Sequence, residues 1–130
     1  MRIFIAGLFA MAFAFTAYAA QSLQTISVAE SNILINENKT NPDFVVLDVR
    51  TPGEYAQGHL KQSKLMNFRG ENFEEELSKL DKSKTYLIYC RSGGRSGMAL
   101  KLMEKLEFES VYNMGGGFND WSRAEFPFEK

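Results

Sequence analysis

Tyr86-Leu87-Ile88-Tyr89-Cys90-Arg91-Ser92-Gly93-Gly94-Arg95-Ser96 is the stretch on which the rest of the chain depends. It reads as a buried strand ending on a cysteine, a short loop with two glycines and two arginines, and an amphipathic helix opening near Ser96. This arrangement activates a thiol. The first N–H groups of a helix lack intrahelical partners and carry partial positive charge, so they favour an anion in front of them, where Cys90 stands. A free thiol has a pKa of about 8.5, and helix N-termini and neighbouring arginines bring it to roughly 3.5 to 7.5. Gly93 and Gly94 allow positive φ, so that successive N–H groups can converge on one point as an anion-binding nest. A lone cysteine at a strand end is more often an inert core residue, and these neighbours are what argue against that here.

The N-terminus bears on the compartment. Arg2 is a minimal positive region, Ile3 to Phe15 is an uncharged apolar run, and Ala17-Tyr18-Ala19 supplies small residues for a cleavage site. The expectation is a secretory signal peptide over 1–19, cut after Ala19, followed by a single domain over 20–130. The competing reading is an uncleaved anchor, since Ile3 to Ala20 is near the lower length limit for crossing a bilayer. Removing 19 of the 130 residues leaves 111, enough for one core. Lys and Arg number 15 against 16 Asp and Glu, and losing Arg2 takes the net charge from −1 to −2. No basic stripe calls for nucleic acid, and Glu74-Glu75-Glu76 is a solvated helix face. Cys90 is the only cysteine. In an oxidising compartment it has no intramolecular partner, which leaves it either a liability or a group with a use.

Along the chain, Ser27-Val28-Ala29-Glu30 has capping-box spacing, and Val28, Ile33, Leu34 and Ile35 give the following short helix an apolar side. Asn36 to Asp43, with Pro42, reads as the loop that ends it. Asn38-Lys39-Thr40 fits a glycosylation pattern too common by chance to carry weight. Phe44-Val45-Val46-Leu47-Asp48-Val49 suits a strand covered on both faces, as in a parallel sheet, and its terminal charge needs a partner. A helix start follows at Thr51-Pro52-Gly53-Glu54. Leu65 to Phe68 reads as a short strand and Phe73 to Leu80 as a helix. Thr85 to Tyr89 is the second buried strand, and Met98, Ala99, Leu102, Met103 and Leu106 line one side of the helix beyond the loop. Those methionines read as core filler rather than metal ligands. Val111 to Met114 is a last strand, broken by Gly115-Gly116-Gly117 before a helical turn with Trp121 as a core anchor. Short strands alternating with helices point to an α/β layer structure with a mainly parallel sheet.

Two segments then carry a family resemblance. Asp48-Val49-Arg50-Thr51-Pro52-Gly53-Glu54-Tyr55-Ala56-Gln57-Gly58-His59-Leu60 resembles the first signature of rhodanese-like domains. Cys90-Arg91-Ser92-Gly93-Gly94-Arg95-Ser96 resembles their active-site loop, and the Gly-Gly-Gly-Phe to Trp121 ending also fits. The resemblance spans about residues 25 to 126. It implies a three-layer domain with a five-stranded, mainly parallel sheet and helices on both faces. It also implies an exported, single-domain thiosulfate sulfurtransferase, in which Cys90 takes a sulfane sulfur from thiosulfate or another donor and passes it as a persulfide to cyanide or a thiol.

That chemistry suits the loop, because a thiolate attacking sulfur and an anionic leaving group both need positive charge nearby. Cys90 is the expected nucleophile, and the N–H groups of Arg91, Ser92, Gly93, Gly94, Arg95 and Ser96 the expected cradle. Arg91 is the candidate for holding an incoming oxyanion, while Arg95 is expected to turn inward and pair with Asp48. Arg50, Glu54 and His59 read as structural support; the single histidine invites a general-base role that the family mechanism does not need. Related cysteine phosphatases have five residues between the Cys and the oxyanion-binding Arg. Here four intervene, a tighter cradle suited to one sulfur atom. No metal or cofactor is implied. The expected partners are a small sulfur donor and a thiol or cyanide acceptor, with no nucleic acid, no membrane after signal cleavage, a monomeric state, and a periplasmic or secreted location. The alternative is a persulfide carrier or binding module that delivers sulfur to a partner protein.

Overall fold

The computed structural model describes Ala12 and residues 21–130; the expected signal peptide over 1–19 lies outside the described residues apart from Ala12. Among the described residues, five strands and five helices alternate. They are β1 (Ser22–Ile26), α1 (Val28–Glu37), β2 (Phe44–Asp48), α2 (Pro52–Gln57), β3 (Lys64–Leu65), α3 (Phe73–Ser78), β4 (Thr85–Tyr89), α4 (Gly94–Lys105), β5 (Ser110–Met114) and α5 (Gly117–Arg123). All neighbouring strands are parallel, in the order β1-β5-β4-β2-β3. This is the expected α/β architecture, with β4 at its centre.

Alternation along β4 builds two cores. Tyr86 and Ile88 pack with Leu47 and Val111 against Phe73 and Leu77 of α3 and Ala99 and Met103 of α4. Leu87 and Tyr89 turn the other way, towards Trp121 and Phe118 of α5 and Val28 and Ile35 of α1. Because successive strand residues face opposite sides, a strand that is apolar throughout needs cover on both, and the helices divide accordingly. Burying one such large side chain is worth about 1.5–3 kcal/mol.

The local signals fix the ends. Ser27 caps α1 by accepting the N–H of Glu30 at 3.1 Å. At α2, Thr51 and Glu54 form a reciprocal capping box with Pro52 in the first turn, where its missing N–H costs nothing. Several boundaries differ from the sequence expectation: α3 stops at Ser78 rather than Leu80, β2 at Asp48 rather than Val49, and β5 starts at Ser110 rather than Val111. α1 runs on to Glu37, α4 begins at Gly94 rather than near Ser96, and the third strand is only Lys64–Leu65. β1 is an element that the hydrophobic pattern did not indicate, since Leu23 and Ile26 are its only apolar residues and its other three are exposed. In an open α/β sheet, ligands gather beyond the carboxyl ends of the strands. The loop that follows β4 lies there, on the central strand.

Candidate active site

Cys90 is 1% exposed and follows directly on β4. Its Sγ accepts the N–H of Gly93 at 3.1 Å and lies 3.4 Å from the Ser96 hydroxyl oxygen. The dipoles of the Ser92 and Ser96 N–H groups also favour negative charge on the sulfur. Burial pushes the thiol pKa up, but the Ser96 hydroxyl and the three N–H groups outweigh it, and the net displacement is downward. Gly93, the N-cap of α4, makes the turn possible with φ of 106°, which an L side chain would resist. The arrangement can hold negative charge on one sulfur atom.

The two arginines of the loop do different things. Arg91 is exposed and lines a cleft of about 390 Å³ beside the loop, together with Arg50, Glu54, Phe118, Asn119 and Arg123. Arg95 turns inward, but its partner is Glu54 rather than the expected Asp48. Nη1 and Nη2 donate to the two carboxylate oxygens at 2.7 and 2.9 Å. This fork holds the Glu54 carboxyl down at about 2, chiefly through the Arg95 hydrogen bonds, which outweigh the opposing effect of burial and are helped by Thr51.

Asp48 is fully buried and belongs to Arg50. Arg50 lies two residues on, already on the same side of the extended chain, so it reaches the carboxylate without crossing the sheet. Its Nε donates at 2.9 Å to Oδ1 and its Nη2 at 2.7 Å to Oδ2, while Nη2 also donates to the Gly58 carbonyl at 2.6 Å. The guanidinium carbon lies 4.5 Å from the centre of the Phe118 ring and 5.4 Å from that of Tyr89. Tyr89 donates its hydroxyl to Asp48 Oδ2 at 2.6 Å and accepts the Leu60 N–H at 3.0 Å. Burial, and then the Asp48 charge, push the Tyr89 pKa far up, so it stays a donor. His59 is stacked on Tyr55 at 3.7 Å; its Nδ1 lies 2.9 Å from the Tyr55 carbonyl and its Nε2 3.5 Å from Glu129.

α5 grips the loop through its first N–H groups, a contact that the hydrophobic pattern does not indicate. Phe118 N–H donates to the Cys90 carbonyl at 2.8 Å and Asn119 N–H to that of Arg91 at 3.0 Å. Gly117, at φ of 56°, makes room for this: a Cβ there would stand 2.5 Å from the Cys90 carbonyl oxygen. The signal lies in the Gly115-Gly116-Gly117 run, which marks a close approach of two backbones as well as the end of β5.

A family model described as a rhodanese-like domain matches residues 32–124. A sulfurtransferase of Allochromatium vinosum is 28% identical over 102 residues, covering 78% of this chain and 94% of its own length. The thiosulfate sulfurtransferase GlpE of Pseudoalteromonas translucida is 29% identical, with 76% and 89% covered. A crystal structure of a rhodanese-related protein from Thermoplasma volcanium superposes with a TM-score of 0.68 at 25% identity, covering 82% of this chain and 97% of that one.

Proposed function

Because the chain belongs to the rhodanese-like domain family, whose relatives here carry sulfurtransferase names, we propose that it moves a sulfane sulfur from thiosulfate to a thiol or cyanide through a Cys90 persulfide. The observation that carries this reading is the shell around Sγ: one backbone N–H at 3.1 Å and one hydroxyl at 3.4 Å, with the thiol displaced towards its anion.

In the first half-reaction the Cys90 thiolate attacks the outer sulfur of thiosulfate. The S–S bond breaks and sulfite leaves with the bonding electron pair. Arg91, exposed on the cleft, meets the donor's oxygens, and the loop N–H groups take the charge that moves onto the persulfide. In the second half-reaction the acceptor attacks the terminal sulfur and the Cys90 thiolate leaves, ready for another cycle. Arg95 steadies the loop through Glu54, and Asp48 and Arg50 hold the strand ends on which the loop stands. The protein is a monomer in this reading, with 1–19 a cleaved signal peptide and 20–130 a periplasmic or secreted domain. The supports are Arg2, the uncharged run Ile3 to Phe15, and the small residues at Ala17 and Ala19.

The test is intact-mass spectrometry of the purified protein after thiosulfate and then cyanide. One sulfur mass gained on Cys90 and removed by cyanide is the expected result, and Cys90→Ser should gain none while keeping its melting temperature. A gain from polysulfide alone changes the donor, transfer only to a partner protein makes the chain a carrier, and no adduct from any donor overturns the reading.

A further inference from the structure

A second cavity of about 380 Å³ runs from the amino ends of β2 and β4 along the side of the sheet that α1 and α5 cover. Its inner wall includes Phe44 at the start of β2, Val46, Leu60 and Trp121. Its rim carries Lys39, Lys61, Lys64 and Lys84, and no carboxylate lines it. Among the described residues, none of these four lysines has an acidic partner within 4.0 Å. Lys84 precedes β4 and Cys90 follows it. The cavity shares no lining residue with the cleft beside the Cys90 loop, so it is separate from the sulfur site.

We propose that this cavity binds a small amphipathic carboxylate, an apolar body against Ile35, Pro42, Phe44 and Pro127 beside the buried Trp121, with its anionic head among the lysines. The volume falls in the range of small-molecule sites, and the mixture of an apolar wall with a few charges of one sign is what such sites present. The four lysines give the opening charge of one sign, only Lys84 having a carboxylate, Asp81, near enough to feel it, and a carboxylate at the mouth meets that charge while its tail leaves water. A short anion without the body and an alcohol without the charge each satisfy half of the site.

Trp121 is the only tryptophan in the sequence, so its emission reports on the cavity without a label. Titration of the purified full chain with octanoate should give a saturable change, with acetate and octanol giving none over the same range. Lys61→Glu with Lys64→Glu should weaken octanoate by about tenfold at low salt, as should raising the ionic strength for the wild type. Both lysines are exposed, so the double variant should keep its melting temperature and its sulfur transfer. No saturable response to octanoate, an equal response to octanol, or unchanged affinity in the double variant would overturn the proposal. Since the readout is fluorescence, the result is independent of the chemistry at Cys90.

Discussion

Ser96 is the side chain whose hydroxyl faces Sγ, and it does so from inside the first turn of α4, fully buried. Ser96→Ala removes that hydroxyl and leaves burial, the opposing influence, in place, so the thiol pKa should rise. The ultraviolet absorbance of the thiolate, followed through a pH titration, checks the direction. Sulfur transfer at neutral pH should fall by the loss of thiolate and recover as the pH is raised. Asp48→Ala acts elsewhere. It strands the Arg50 guanidinium at 3% exposure, so chemical denaturation should show a loss of about 3–5 kcal/mol. The loop and the place of Cys90 at its start were legible because two glycines between a buried strand and an amphipathic helix mark a tight turn whose N–H groups converge. The partner of Arg95 was not, because which of two carboxylates an arginine reaches depends on where α2 carries Glu54 in space. Sequence proximity already offered Arg50 to Asp48, and the shorter reach won.

Between α2 and α4, the Glu54–Arg95 fork ties two elements that flank the site. Because the folded-state pKa of Glu54 is lowered from 4.5 to about 2, its contribution is fully present above about 4.5 and lost as the pH falls towards 2. Glu54→Gln should be less stable than the wild type at neutral pH, and the difference should shrink across that acid window in denaturant titrations. α5 depends on a different contact. Gly117→Ala places a Cβ against the Cys90 carbonyl at a φ of 56°, so the loop, α5 or both must move. The expected cost is about 1–3 kcal/mol of stability, with a loss of sulfur transfer larger than the unfolded fraction accounts for. Helices with strong caps, such as α2, could be placed from local chemistry alone. β1 could not, because its evidence is a pairing partner nearly the whole chain away.

The molecule closes on itself at its C-terminus. His59 and Glu129 exchange backbone hydrogen bonds at 2.8 and 2.9 Å, Trp121 Nε1 donates to the Pro127 carbonyl at 3.0 Å, and the Phe128 ring packs edge-on against Phe118 with centres 5.3 Å apart. Phe118 in turn covers Arg50. Deleting residues 126–130 should therefore cost about 2–4 kcal/mol and lower the melting temperature, although the segment follows the last helix. β1 finds its partner in β5, Ser22 opposite Ser110 through Ile26 opposite Met114, and β5 alone connects it to the rest of the sheet. The ribosome makes one of these strands first and the other last. At ordinary synthesis speeds the wait between them is on the order of ten seconds, long after any helix could have formed. Until β5 emerges, β1 is an orphan with its hydrogen-bonding groups unclaimed, and no fragment ending before it can complete the sheet. The order of the strands thus acts as a clock that holds the newborn chain short of its native state.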